Sequence, residues 1–292
     1  MSTFIQQIIN GLSIGSVYAL MAVGYSLVYS ILNFSNFAHG GVIMIGAYFG
    51  FYAISLFSMP FAVALIVAAF LAGLLAVSLE KIAYRPLRKR NAPALYFIIS
   101  AMGASIFLEN IVVATIGPTF RTYPAVLNTT PFMIGDIAIG RLDVLMFAIS
   151  AVSLLALVLI IGKTKIGLAI RATSYSAKGS TLMGVNVDRV IFVIFILGGM
   201  LAGIAGVLFG MKYTVYPQIG IITNKSFIAA VFGGLGSLPG AVIGSILLGI
   251  IETMASAYIS SSYRDLIAFT LLIVVLVVKP TGLMGKATED KA

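Results

Sequence analysis

The sequence predicts an all-α protein, a polytopic transmembrane helical bundle, on two observations. Hydrophobic residues make up 60% of the 292 residues and charged residues only 9%, with a mean hydropathy of +1.11. Soluble domains carry about 25% charged residues, so this composition is typical of an integral membrane protein. Charge-poor apolar stretches also recur along the chain, each near the roughly 20 residues that a helix needs to cross a bilayer.

Eight spans are predicted, or nine crossings if the seventh span folds as two pieces. The spans are residues 4–32, 42–57, 61–79, 94–116, 142–162, 190–211, 226–251 and 266–278. The seventh span is rich in glycine and contains Pro239, so we expect a break near 233–240. A half-helix should end at about Phe232 and a longer helix should begin at about Ala241. We assign all spans to one transmembrane domain, residues 1–292.

The positions of the basic residues predict the topology. Ten of the eighteen lysines and arginines fall within 81–90 and 163–189, and the positive-inside rule places such segments in the cytoplasm. Two spans separate them, so loops 81–93 and 163–189 should lie on the same side, and the turn-rich loop 117–141 should be external. With nine crossings the N-terminus is outside and the lysine-bearing tail is cytoplasmic. Topology explains the positive charge, so we expect lipid and no nucleic acid as a partner.

Residue types exclude several chemistries. The chain has no cysteine and one histidine, His39, which excludes disulfides, iron–sulfur clusters and multi-histidine metal sites. Gly162 to Thr164 imitate the end of a nucleotide-binding P-loop, but Leu157 stands where that motif needs glycine. Serine-hydrolase, zinc-protease and paired-carboxylate motifs are missing as well. We therefore expect no enzyme, no metal and no cofactor bound by this chain.

The central loop, residues 163–189, has the pattern of an amphipathic helix. Small or apolar residues recur near helical spacing at Ala172, Tyr175, Gly179, Leu182 and Met183. Such a helix can lie passively at the membrane surface or dock on a partner, and the pattern alone favours neither.

Three ionisable residues are candidates for positions at membrane depth: Glu109 within the fourth span, His39 just before the second and Glu252 at the end of the seventh. A charge at the bilayer centre costs about 2.5 to 3.5 kcal/mol, so such a residue faces a cavity, pairs or becomes neutral. Glu109 and His39 could line a substrate path. Alternatively, Glu109 and Asn110 bond a neighbouring helix while His39 caps a break in the backbone, the commoner arrangement in membrane proteins.

Polar or flexible positions at helix breaks are the candidates for the substrate path. They are Asn33, Asn36, His39, Glu109, Gly234, Gly236 and Ser237. For the glycines, close helix packing is the preferred alternative to substrate contact.

Residues 11–48, 166–208 and 233–252, with the closing 279–285, resemble the permease subunits of bacterial branched-chain amino acid ABC importers, the high-affinity leucine, isoleucine and valine systems. The matches are long, collinear and run nearly end to end. The resemblance implies a multi-pass permease of the bacterial inner membrane that pairs with a second homologous permease. It also implies two cytoplasmic ATPase subunits, which bind the ATP, and a periplasmic substrate-binding protein.

The same family includes permeases for urea and short amides, so the resemblance leaves the substrate open. A secondary transporter or channel that works alone is a further alternative. It would need intramembrane ion or proton carriers, and the small number of ionisable residues in the spans disfavours it.

The resemblance also implies that the central loop is a coupling helix that docks in a groove of the ATPase. The residues implied are Arg171, Ala172, Ser174, Tyr175, Ala177, Lys178, Leu182 and Gly184. Arg171 and Lys178 should pair with acidic residues of that groove. Relatives carry acidic residues after the Arg-Ala pair, whereas this chain has none before Asp188, so we expect a groove adapted to a less acidic loop. Arg171→Glu should abolish ATPase coupling without loss of membrane insertion.

Overall fold

The computed structural model describes residues 2–124, 130–135 and 137–285. Parts of the predicted external loop 117–141 and the tail residues Lys286 and Lys291 lie outside the described residues. The described chain is predominantly helical, which confirms the predicted all-α, polytopic class. Its one small sheet is an antiparallel hairpin of β1 (Phe132–Ile134) and β2 (Ile137–Ile139).

Seven helices of the described chain are long and apolar enough to cross a membrane, and one shorter apolar helix accompanies them. The α-helices in the described part of the chain are α1 (Ser2–Leu32), α2 (His39–Ser55), α3 (Phe61–Leu79), α4 (Arg85–Lys89), α5 (Ala94–Ile116), α6 (Arg141–Lys163), α7 (Lys165–Tyr175), α8 (Ala177–Leu182), α9 (Val187–Lys212), α10 (Thr223–Gly233), α11 (Leu238–Tyr258) and α12 (Arg264–Val278). The shorter apolar helix α2 is the predicted second span, and α10 is the predicted half-helix.

The predicted break in the seventh span lies where α10 ends and α11 begins. The second piece starts at Leu238, three residues before the expected Ala241. Pro239 causes no break there, because a proline in the first helical turn lacks only an N–H that would have no helical partner. Ser237 precedes the helix and accepts a hydrogen bond from Gly240 N at 3.2 Å, which caps the new N-terminus.

Two segments predicted from the basic pattern differ in the structure. Loop 81–93 is helical as far as Lys89, through a π-helix at Glu80–Tyr84 followed by α4. The central loop forms two short helices, α7 and α8, in place of a single one. The chain is extended at Ser176, whose side chain accepts from Gly179 N at 3.0 Å and so begins a new helix.

The chain divides into two compact units. Unit 1 comprises the described residues of Met1–Ser26, Leu127–Ala151 and Asn224–Ala292, and unit 2 comprises those of Leu27–Val126 and Val152–Thr223.

Glycines bring helix backbones together inside each unit. In unit 2, a Cβ added to Gly199 would lie 2.8 Å from Ala72 O, and one added to Gly203 would lie 2.8 Å from Ala68 O. In unit 1, a Cβ on Gly15 would lie 2.9 Å from Ile246 Cα. Such approaches are sterically closed to any larger residue, so α9 packs directly on α3, and α1 on α11.

Candidate functional site

The central loop exposes large apolar side chains. Tyr175, Leu182 and Met183 are 80%, 82% and 85% exposed, and all three lie in the short stretch 175–183. We call the exposed part of α7 and α8, with Met183 and Gly184, the central-loop surface. Concentrated apolar exposure of this kind marks an interaction site, whether with lipid or with protein.

Hydrogen bonds anchor the base of this surface to the ends of two long helices. Arg171 Nη1 donates to Ile161 O and, at 3.2 Å, to Gly162 O in the last turn of α6. Ser174 Oγ donates to Ser30 O at 2.9 Å in the last turn of α1. The last four carbonyls of a helix lack helical partners, so these side chains satisfy groups that need donors. Helix α7 is therefore tied to α6 and α1, while Tyr175 at its C-terminal end stays exposed.

This geometry changes the role expected of Arg171. Its guanidinium already bonds within the chain, so pairing with an acid of a partner is not its only available function. The other predicted docking residues Ala172, Ala177, Lys178 and Gly184 are exposed. Lys178 has no ion pair among the residues that the structure describes.

An ionic cluster that sequence reasoning missed joins loop 81–93 to the start of α9. Arg88 bridges Glu80, at 2.9 Å, and Asp188, at 2.7 Å, and Arg85 reaches Asp188 at 3.2 Å. Glu80 is buried, so it needs this partner. Residues 88 and 188 are a hundred positions apart, and no local spacing signals their contact.

Asn36 and His39, two of the predicted path residues, border one small cavity in unit 2. Its other lining residues are Val28, Val42, Ala76, Leu79, Phe195, Gly198 and Gly199. Tyr84, fully buried in the π-helix, donates its hydroxyl to Asn36 Oδ1 at 2.7 Å. His39 is the first residue of α2 and is buried. Asn33, by contrast, is exposed with φ of 51°.

Glu109 is separate from that cavity. It is half-buried on α5, and its carboxylate has no hydrogen bond or ion pair to any residue that the structure describes. Its neighbour Asn110 donates to Ile106 O of the same helix at 2.8 Å, and within the described part of the chain its side chain makes no bond to another helix.

The remaining path candidates, Gly234, Gly236 and Ser237, form a closely packed turn. Gly234 and Gly236 have φ of 111° and 81°, values that glycine adopts readily. After α12 the chain returns to this turn, where Leu283 N and Met284 N donate to Phe232 O and Gly233 O at 2.9 Å each. The last carbonyls of α10 are thus satisfied by protein. These contacts support the packing interpretation, and substrate contact by the turn stays a prediction.

A second cluster, in unit 1, surrounds Glu252. Lys225 Nζ donates to Glu252 Oε1 and lies 3.0 Å from Asp265 Oδ1, and Tyr18 Oη donates to Glu252 Oε2 at 2.9 Å. Sequence reasoning singled out Glu252 but not Lys225. One signal was available: a lysine in the first turn of a half-helix opposes the helix dipole and needs a carboxylate nearby.

The described residues contain no group of three or more histidine, cysteine, aspartate or glutamate side chains placed to hold a metal ion. The candidate sites in the structure are an anchored apolar surface, a polar cavity at a helix break and two charge clusters.

Comparisons with known proteins identify the family of the chain. Residues 7–276 match the family described as "Branched-chain amino acid transport system / permease component". The chain is 41% identical to the high-affinity branched-chain amino acid transport system permease protein LivH of Escherichia coli (strain K12), covering 99% of this chain and 97% of that protein. It is 39% identical to BraD of Pseudomonas aeruginosa, named for the same kind of system, covering 99% and 98%.

A more distant relative carries a different name. The autoinducer 2 import system permease protein LsrC of Escherichia coli (strain K12 / DH10B) is 27% identical, covering 91% of this chain and 76% of that protein. Because the family match spans most of the chain and two relatives exceed 30% identity over nearly their full lengths, this chain belongs to the permease component family of branched-chain amino acid transport systems.

Proposed function

We propose that this chain is a membrane-spanning permease subunit of an ABC importer in the bacterial inner membrane. With a second, homologous permease it forms the path for branched-chain amino acids that a periplasmic binding protein delivers. The observation that carries the proposal is the similarity to LivH and BraD across 99% of the chain. Their names describe high-affinity branched-chain amino acid transport.

Separate cytoplasmic ATPase subunits supply the energy and bind the ATP. The central-loop surface is their docking site, because it exposes Tyr175, Leu182 and Met183 while its base is fixed to the molecule. Large apolar side chains of this kind are the usual anchors of a protein interface. A movement of the ATPase would pass through Arg171 and Ser174 to the last turns of α6 and α1.

The orientation follows from charge. The central loop and loop 81–93 face the cytoplasm by the positive-inside rule. The C-terminal tail, with Lys279, Lys286 and Lys291, is cytoplasmic too. Together with the half-helix α10, this arrangement corresponds to nine crossings and an external N-terminus.

Transport of urea or short amides is the alternative substrate class, and the name of LsrC shows that distant relatives are named for other solutes. The higher identity to LivH and BraD favours branched-chain amino acids. A transporter working alone is disfavoured by the anchored, exposed central-loop surface, for which it has no use.

Co-purification tests the partnership with ATPases. A tagged permease expressed with its ATPase subunits should retain them, and replacing Leu182 and Met183 together by aspartate should reduce retention about tenfold or more, since the two are anchors of the interface. The matched control replaces Leu56 and Phe57, which are also exposed but lie outside the central loop, by aspartate. Equal retention by the central-loop variant and the unmodified permease would contradict the proposed docking site.

A further inference from the structure

We propose that Lys225 and Asp265 form a binding site for the zwitterionic head group of an α-amino acid. The inference rests on the proposed function and deepens it, because it names the charges in this chain that recognise the substrate.

The three charged residues of the cluster differ sharply in exposure. The Glu252 side chain is 5% exposed, that of Lys225 is 19% exposed and that of Asp265 is 71% exposed. Lys225 thus stands between an inner carboxylate on α11 and an outer carboxylate in the first turn of α12. The Lys225–Asp265 pair is the part of the cluster that a solute can reach.

Glu252 is a positioning residue. It holds Lys225 from inside while Tyr18 Oη satisfies its second oxygen at 2.9 Å. A buried ion pair contributes little to stability compared with apolar residues of the same volume. Ionisable groups at membrane depth therefore point to function first. Glu252 keeps the ammonium group of Lys225 at the start of α10, where the helix dipole would otherwise repel a positive charge.

The Lys225–Asp265 pair can still donate and accept further hydrogen bonds. An ammonium group has three donors, and the contacts of Lys225 to Glu252 and Asp265 use two of them. A carboxylate accepts about four hydrogen bonds, so one contact leaves Asp265 most of its capacity. The carboxylate of an amino acid can bind Lys225 while its ammonium group binds Asp265. The net charge of the cluster stays the same, and neither protein charge is left unpaired.

A neutral solute such as urea has no charge to offer either residue. Lys225 and Asp265 would then remain paired with each other, and a neutral solute would form no hydrogen bond between opposite charges at this site. Apolar surface for an aliphatic side chain adjoins the pair in sequence, where Leu266 and Phe269 are exposed on α12. The chemistry of the site therefore matches an amino acid with an apolar side chain.

The position of the site in unit 1 suits the uptake of substrate from outside. The turn after α10 and the residues after α12 meet at one end of the unit, through Leu283 N and Phe232 O. Lys225 and Asp265 lie at the starts of those two helices, and so at the opposite end. With a cytoplasmic tail, this opposite end faces the side from which a periplasmic binding protein delivers its ligand.

Thiol labelling can test the site directly, because the chain contains no cysteine. Leu266, beside Asp265, would be replaced by cysteine. The rate of thiol labelling of this Leu266→Cys variant would then be measured in the assembled complex at increasing concentrations of leucine or urea. Leucine should slow the labelling and urea should not, whereas labelling of Leu283→Cys at the opposite end of unit 1 should be unaffected by leucine. Adding Asp265→Asn should raise the leucine concentration for half-protection about tenfold, the effect of losing one charge-assisted hydrogen bond. Arg264→Gln, which removes the neighbouring charge, should leave that concentration unchanged.

The outcomes separate the two proposals. Wild-type complex that transports leucine but shows no leucine protection of Leu266→Cys would overturn the site and leave the proposed function in place. Equal protection by urea, or equal protection with and without Asp265→Asn, would overturn it as well. A wild-type complex that does not transport leucine would overturn the proposed function, and with it this inference.

Discussion

Arg171 illustrates what one side chain contributes to the central loop. Its charge and its place in the family motif made it a predicted docking residue. The structure shows that its guanidinium donates to the last carbonyls of α6. The sequence could not reveal this bond, because it depends on the chain turning back at Thr164 so that residue 171 reaches residues 161 and 162.

Replacing Arg171 by glutamate should uncouple transport from ATP hydrolysis. The variant loses both carbonyl contacts and places an acid at a helix C-terminus, where negative charge is unfavourable. We expect normal membrane insertion but a loss of about tenfold or more in transport-stimulated ATPase activity, since two charge-assisted hydrogen bonds are removed. Lys89→Glu, a matched charge reversal on the other basic loop, is the control. Wild-type coupling in the Arg171 variant would refute this role.

Tyr84 and Asn36 show how a buried polar pair can fix a helix break. The Tyr84 hydroxyl donates to Asn36 Oδ1 at 2.7 Å, and both residues are buried. Tyr84→Phe leaves the amide oxygen without this donor, at a cost of about 1 to 3 kcal/mol. We expect a lower midpoint of thermal unfolding for the purified permease. Tyr96→Phe, at an exposed position, should leave the midpoint unchanged, and an unchanged midpoint for Tyr84→Phe would argue against the pair's role.

At the scale of elements, the glycines of α9 were predictable and the loops were less so. The GxxxG spacing of Gly199 and Gly203 is typical of close helix contact, and α9 packs on α3 through these residues. Helix α4 was missed because loop 81–93 was recognised by its charge, and charge does not distinguish a helix from a coil. The split at Ser176 was missed because a serine cap interrupts the helix at a residue that is neither glycine nor proline.

Gly203→Val tests this packing. A Cβ at position 203 would lie 2.8 Å from Ala68 O and 2.9 Å from Ala69 Cα, and backbone atoms of α3 cannot move aside easily. We expect a destabilisation of about 1 to 3 kcal/mol or failure to assemble, as for other overpacked sites. Gly103→Val is the matched control, because a Cβ there meets nothing within 4 Å. Similar unfolding midpoints for the two variants would show that α9 tolerates a larger residue.

At the scale of the whole molecule, the class and the family could be predicted from the sequence, and the charge clusters could not. Composition and collinear motifs extend over the entire chain, so neither depends on knowing the fold. Lys225 and Glu252 are 27 residues apart, on two pieces of a broken span, and become neighbours only because α10 and α11 fold back on each other. The number of membrane crossings also depends on the fold, because α2 and α10 are too short to be recognised as crossings by their length alone.

The central claim is that this chain conducts branched-chain amino acids under the control of separate ATPases. The most direct measurement is uptake of radiolabelled leucine into proteoliposomes that contain the permease, its partner permease and the ATPases, with the binding protein added outside. We predict uptake that requires both ATP and the binding protein and that excess isoleucine or valine suppresses. Uptake that proceeds without ATP, or that urea suppresses while isoleucine and valine do not, would contradict the account.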